Sequence, residues 1–171
     1  MDERQLVTAF LGGEEAAFRA LYDLHAPSLY AFLNRILGRW RSEANDALQD
    51  VWLRAARDLG RFRFQSSFRT WLFGIAVNRC REILRLTPNY EEEIAEVEGV
   101  TAPEPVGERI DLERAVARLP LRYREVVVLH DIYEHTHAEI GAMLGIDEGT
   151  SKSNLSRARA LLRRFIGGNH D

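Results

Sequence analysis

Apolar residues along the first 86 positions recur every three to four residues, the spacing of helices that bury one face. Residues 3–11 predict a short helix stopped by Gly12-Gly13, since glycine takes the left-handed end position without a side-chain clash. Phe18, Leu21, Tyr22, Leu29, Phe32, Leu33 and Ile36 form the next stripe, closed near Gly38. Pro27 lies inside that stripe and, lacking an N–H, is expected to bend or interrupt it. Ser42 is placed to cap a third helix that buries Ala44, Ala47, Leu48, Val51 and Ala55 and ends at Gly60. The stretch RFRFQSSFRT that follows has no stripe and interleaves three Arg with three Phe. A fourth helix over about 67–85 buries Leu72, Ile75, Ala76 and Ile83.

The period is lost over residues 87–107, where three of the five prolines and six glutamates mark a linker between parts 1–86 and 108–171. It returns over about 108–118 and 120–133, with Pro120 suited to a first helical turn, where its missing N–H is no loss. Thr136 and Glu139 have the T-x-x-E spacing of a capping box for a helix ending at Gly145. A last helix runs over about 148–165 to Gly167-Gly168. No segment alternates as a strand does. The expected fold is all-α, with two small helical domains joined by an acidic flexible linker.

Composition changes this picture only once it is resolved along the chain. The 171 residues carry 23 basic and 26 acidic side chains, a net charge of −3, which by itself argues against a nucleic-acid partner. Residues 35–85, however, hold 11 Arg and five acids, residues 86–114 nine acids and two Arg, and residues 149–171 five basic groups and one acid. Two basic blocks therefore flank an acidic one. No apolar run reaches the roughly 20 residues of a membrane-spanning helix, and the N-terminus lacks the apolar core of a signal peptide. The single cysteine, Cys80, forms no internal disulfide and reads as a small buried hydrophobe in a reducing compartment. The expectation is a cytoplasmic protein without membrane insertion.

The strongest local signal is HTHAEIGAMLGIDEGTSKSNLSRARALLRR, residues 135–164, which pairs two helices across a Gly-containing turn as a helix-turn-helix does. On its second helix Leu155, Ala158 and Leu162 share a face to be buried. The opposite face carries Ser153, Ser156, Arg157, Ala160 and Arg164, flanked by Lys152, Arg159 and Arg163, and no acid occurs between Gly149 and His170. Short polar side chains let a helix approach the major groove, and Arg can bond guanine bidentately. A solvated amphipathic helix is the plainer alternative, but it ordinarily mixes both signs of charge.

On these residues the chain resembles the bacterial RNA polymerase sigma factors of the extracytoplasmic-function (ECF) group. The resemblance rests on AFRALYDLHAPSLYAFLNRIL (17–37), ANDALQDVWLRAARDLGRF (44–62), FRTWLFGIAVNRCREILR (68–85) and LPLRYREVVVLHDIYEHTHAEIGAMLGIDEGTSKSNLSRARALLRR (119–164). It implies that residues 1–86 form the unit that docks on core polymerase and opens the minus-ten element, and residues 108–171 the unit that reads the minus-thirty-five element. It implies Asp46, Gln49 and Asp50 as polymerase-binding residues, with Asn45 where the family has Glu. The minus-ten residues it implies are Arg61, Phe62, Arg63, Phe64, Phe68, Arg69, Asn78, Arg79 and Arg81. Aromatic rings for bases and cations for phosphates are what holding single-stranded DNA requires; core packing is the competing reading for Phe62, Phe64, Phe68 and Trp71, and helix packing for Asn78. Lys152, Ser153, Ser156, Arg157 and Arg159 are the implied minus-thirty-five readers, while Ser151 and Asn154 depart from the family's usual Val and Arg. The implied partners are core RNA polymerase, promoter DNA and an anti-sigma factor.

Other functions find less support. His130, Asp131, Glu134, His135 and His137 are metal-ligating types, but the two most helical, His130 and Glu134, are separated from His135 and His137 by the break before Thr136, and no H-E-x-x-H, C-x-x-C or phosphate loop occurs. Neither an enzyme nor a cofactor or metal is expected. A free-standing helix-turn-helix regulator is the remaining alternative, and it would bind duplex DNA without polymerase.

Overall fold

A computed structural model describes residues 1–86 and 111–167. The linker expected over 87–107 lies outside the described residues. Among the described residues the regular structure is helical throughout, as the period predicts.

Helix α1 (Glu3–Leu11) opens with a reciprocal capping box: the Asp2 carboxylate accepts from the Gln5 N–H at 2.8 Å, and Gln5 Oε1 accepts from the Asp2 N–H at 2.9 Å. Helix α2 (Glu15–Leu37) is the central element, burying Leu21, Leu29, Phe32, Leu33, Ile36 and Leu37. Pro27 does not interrupt it. Pro27 and Asp23, one turn earlier, are both exposed, so the carbonyl that loses its donor meets water. Nor does Ser42 act as a cap. A 3-10 turn over Gly38–Glu43 leads straight into α3 (Ala44–Asp58), so the chain enters that helix already coiled. A second 3-10 turn, Leu59–Arg61, closes it near Gly60. Helix α4 (Phe68–Arg85) is capped by Ser67, whose hydroxyl accepts from the Thr70 N–H.

The C-terminal part begins with α5 (Leu112–Arg118), capped by Asp111, and α6 (Leu121–Val127), where Pro120 takes the cap position itself. A π-helical segment, Val128–Ile132, extends α6; the sequence period does not announce it. Glu134 then takes φ 60°, and the chain turns into α7 (His137–Leu144). The Thr136/Glu139 capping box forms as its spacing predicts, and left-handed Gly145 ends the helix. Helix α8 (Glu148–Gly167) completes the helix-turn-helix.

The α7–α8 turn depends on a residue that the apolar pattern passes over. A Cβ on Gly141 would stand 2.6 Å from the Ile146 carbonyl oxygen. Gly141→Ala is therefore expected to destabilise the chain by about 1–3 kcal/mol, the usual range for overpacking. Urea denaturation measures this, and a change under about 0.5 kcal/mol contradicts the close approach.

The two parts share one core. Phe73 on α4 lies 4.9 Å from the Phe32 ring on α2, 5.1 Å from Tyr133 and 5.4 Å from His135. Leu72, Ala76, Val77, Cys80 and Leu84 continue the buried side of α4. Ile75 and Ile83 are only half-buried.

Candidate nucleic-acid and polymerase interfaces

Helix α8 presents the face expected of a groove reader. Lys152, Ser153, Ser156 and Arg157 are exposed, while Leu155, Ala158, Leu162 and Phe165 pack inward. Ser151 and Asn154, the two departures from the family pattern, are buried. Ser151 Oγ lies 2.8 Å from His137 Nδ1, tying the start of α8 to the start of α7. Arg159 is exposed but engaged: its Nε and Nη2 donate to both Asp131 oxygens, at 3.0 and 2.6 Å. Burial pushes the Asp131 carboxyl up, and the bonds from Arg159 and His130 outweigh it, holding the group below its ordinary range. His130 stacks on His137 with ring centres 4.6 Å apart. A polar chain thus braces α8 at two points, and Arg159 has its bidentate edge committed within the fold.

The minus-ten set divides into exposed and buried members. Arg61, Arg63 and Asn78 are exposed, and Arg63 donates to the Gly60 carbonyl at 2.7 Å. Phe64 is half-buried with φ 56°, a strained value for an aromatic residue, and the Arg4 guanidinium sits 4.5 Å above its ring. Phe62 and Phe68, expected at the DNA, are buried instead. Their rings lie tilted against Trp71 at 5.2 and 5.7 Å, and Phe62 packs 4.7 Å from Phe64, so neither buried ring is open to a base here. The cluster RFRF has no helical period, so spacing alone does not tell the outward ring from the inward ones.

Three arginines expected at DNA are also held within the chain. Arg69 donates to the Tyr133 carbonyl at 3.1 Å and lies over the Phe73 ring. Arg79 donates to Asp50 at 2.8 Å and to Glu82 at 3.2 Å, and Glu82 also takes both donors of Arg54. Arg81 is bonded to Glu125.

Of the polymerase set, Asp46 and Gln49 are exposed one turn apart on α3, and Asp50 beside them is partly occupied by Arg79. Leu53 continues the same face and is 69% exposed. An apolar residue seven positions after Asp46 and off the buried stripe is a readable signal of an exposed apolar point on this face, which the apolar period alone passes over.

Between α4 and α7 lies a cleft of about 500 Å³, lined by Trp71, Ile75, Asn78, Ala138, Ala142 and Met143 among others. At its end Thr70 Oγ1 donates to Glu139 at 2.7 Å, and His135 Nδ1 lies 3.4 Å from both partners. Burial pushes the Glu139 carboxyl up, but the bonds from Thr70, Thr136 and His135 prevail and hold it at about 2. His135 is pushed below its ordinary 6.5 by burial, with Arg69 adding to the effect and Glu139 opposing it. The unfolded chain then takes up the proton first. The neutral ring's contribution to stability is full above pH 6.5 and is lost as pH falls below it. The expected NMR titration midpoint of His135 lies under 6.5; a midpoint above it contradicts the buried neutral ring.

Among the described residues no group of three or more His, Cys, Asp or Glu side chains is arranged to hold a metal ion. The Cys80 thiol is fully buried and pushed up by that burial. No helix among the described residues is long and apolar enough to cross a membrane.

Comparison with known proteins agrees with this arrangement. Residues 21–87 match the family model of sigma-70 region 2, and residues 109–162 that of sigma-70 region 4. The chain is 37% identical over 169 residues to the ECF RNA polymerase sigma factor SigM of Mycobacterium tuberculosis, covering 96% of this chain and 85% of that protein. It is 32% identical to the ECF sigma factor SigW of Bacillus subtilis, covering 90% and 91%. Among solved structures, CnrH in complex with the cytosolic domain of CnrY superposes with a TM-score of 0.74 at 26% identity, covering 98% of this chain and 99% of that one. The sigma factor RpoE in complex with the anti-sigma factor NepR, from Bartonella quintana, gives 0.69 at 25% identity, covering 90% and 98%. The chain belongs to the ECF RNA polymerase sigma factors.

Proposed function

We propose that the chain docks on core RNA polymerase through Asp46, Gln49 and Asp50 of α3 and brings it to promoters with two recognition surfaces. Residues 1–86 engage the minus-ten element through Arg61, Arg63, Phe64 and Asn78, joined by Arg69, Arg79 and Arg81 once their internal partners release them. Residues 108–171 read the minus-thirty-five element through Lys152, Ser153, Ser156 and Arg157. The observation that carries this reading is the outward face of α8, polar and basic with no acid from Gly149 to Gly167, set on a capped helix-turn-helix. It acts by binding and positioning, without a catalytic step of its own, in the cytoplasm where polymerase and promoter DNA meet.

An anti-sigma factor is the expected inhibitor, as the complex of the structurally similar RpoE with NepR supports. A free-standing regulator is disfavoured because the family matches cover both parts of the chain in order.

Binding of purified core polymerase tests the docking role, and failure to form the complex contradicts it. For the reading helix, Arg157→Ala is expected to lose about 1–3 kcal/mol of discrimination between a cognate and a scrambled minus-thirty-five element. Equal weakening on both would make Arg157 a phosphate contact, and unchanged binding would remove it from the interface.

A further inference from the structure

Arg81 on α4, which the proposed function directs to DNA, is held in this structure by the other half of the chain. Its Nε and Nη2 donate to the two carboxylate oxygens of Glu125 on α6, at 2.9 and 3.2 Å. The Glu125 side chain is 2% exposed, so Arg81 stands where water would otherwise solvate the charge. Burial pushes its carboxyl up while Arg81 opposes the rise. Beside it, buried Arg124 donates to the Ile36 carbonyl on α2 and to the Leu119 carbonyl, fixing the same join. Arg81 also lines a depression of about 300 Å³ with Arg54, Arg57 and Arg85, against Asp58 and Glu82. A guanidinium fork grips a carboxylate and a phosphate in the same bidentate way.

The closed arrangement cannot serve both promoter elements. The minus-ten and minus-thirty-five positions lie about 25 base pairs apart, or ~85 Å along a duplex. A compact chain of this length has a radius of gyration of about 16 Å, hence a diameter of about 40 Å. The two halves must part before both surfaces reach DNA.

We propose that Glu125 is an internal phosphate substitute. It keeps the C-terminal helices on α4 by occupying the Arg81 guanidinium, and a backbone phosphate of promoter DNA takes its place when the halves separate. This rests on the reading of α4 as a DNA-facing helix. Because a phosphate contact is indifferent to sequence, a short fluorescent duplex of arbitrary sequence at low salt is a sufficient probe for the isolated full chain.

The test compares Glu125→Gln with Arg81→Gln by small-angle scattering and by anisotropy of that duplex. Both variants should expand the chain. Only Glu125→Gln should bind the duplex more tightly, by about tenfold, since it frees Arg81 whereas Arg81→Gln deletes it. Expansion with no gain in binding, or the same gain in both variants, overturns the phosphate role; a Glu125→Gln chain as compact as the parent overturns the latch. Should the single variants lose helicity, the charge swap Arg81→Glu with Glu125→Arg restores the pair. It is expected to be compact and to bind the duplex more weakly than the parent; binding at parent strength overturns the proposal. Run-off transcription by the parent chain separates the two levels: its absence removes the sigma-factor reading, while its presence beside an inert Glu125→Gln removes this proposal alone.

Discussion

Replacing Asp46 and Gln49 together by alanine is expected to lower affinity for core polymerase about a hundredfold while shifting the thermal melt of the chain little. Both side chains are exposed on one face of α3, and among the described residues neither makes a side-chain hydrogen bond. Their removal breaks no side-chain bond inside the molecule and costs only the first-turn charge of Asp46, about 0.3–1 kcal/mol. A hydrogen bond involving a charged group contributes about 1.5–3 kcal/mol, and 1.4 kcal/mol is a factor of ten in affinity, so two such contacts reach about a hundredfold. Asp50 behaves differently because it already holds Arg79 at 2.8 Å. Asp50→Ala is less clean, since it also releases a cation beside Glu82. Titration of labelled polymerase with the parent and the double variant measures the effect, and equal affinities would move the docking surface away from α3.

The largest effect on folding belongs to Phe73→Ala, about 3–5 kcal/mol of lost stability, the usual range for emptying an aromatic site in a core. The ring is fully buried and packs on Phe32 from the N-terminal part and on Tyr133 and His135 from the C-terminal part. Its loss opens a cavity at the join and removes the ring over which Arg69 lies. Denaturant unfolding should show a lower midpoint, with the radius of gyration of the native chain increased. A loss below about 1 kcal/mol would mean that the two halves do not share a core at this point.

Many local features decided by a single helix were legible in the sequence, the Ser42 cap and the Pro27 break being the exceptions. Gly12, Gly38 and Gly145 mark helix ends, Thr136 with Glu139 gives a capping box, and Leu155, Ala158 and Leu162 give the inward face of α8. Features that depend on two segments meeting were not. Arg124 and Glu125 sit between apolar neighbours and read as a polar interruption, yet both are buried because α6 packs against the N-terminal helices. Phe62 and Phe68 carry the composition of a base-binding loop, but the ring of Trp71 one turn into α4 draws them inward. Pro27 signals a break that an exposed carbonyl makes unnecessary, and the π-helical geometry of Val128–Ile132 has no signature in its own apolar spacing. In the candidate site, the outward polar and basic face of α8 was visible from periodicity. Most internal partners of Arg69, Arg79, Arg81 and Arg159 were not, because they come from far along the chain or from another helix; Glu82, three residues after Arg79 on the same helix, is the local exception.

An ECF sigma factor turns core polymerase into a promoter-specific enzyme, and run-off transcription with purified components checks this for the present chain. Core polymerase supplemented with the chain should produce a transcript of defined start from DNA of its own genome carrying a matched pair of minus-thirty-five and minus-ten elements, and none when the chain is omitted. Tight duplex binding by the chain alone, with no promoter-dependent transcript from any such DNA, would contradict the account and leave a free-standing helix-turn-helix regulator in its place.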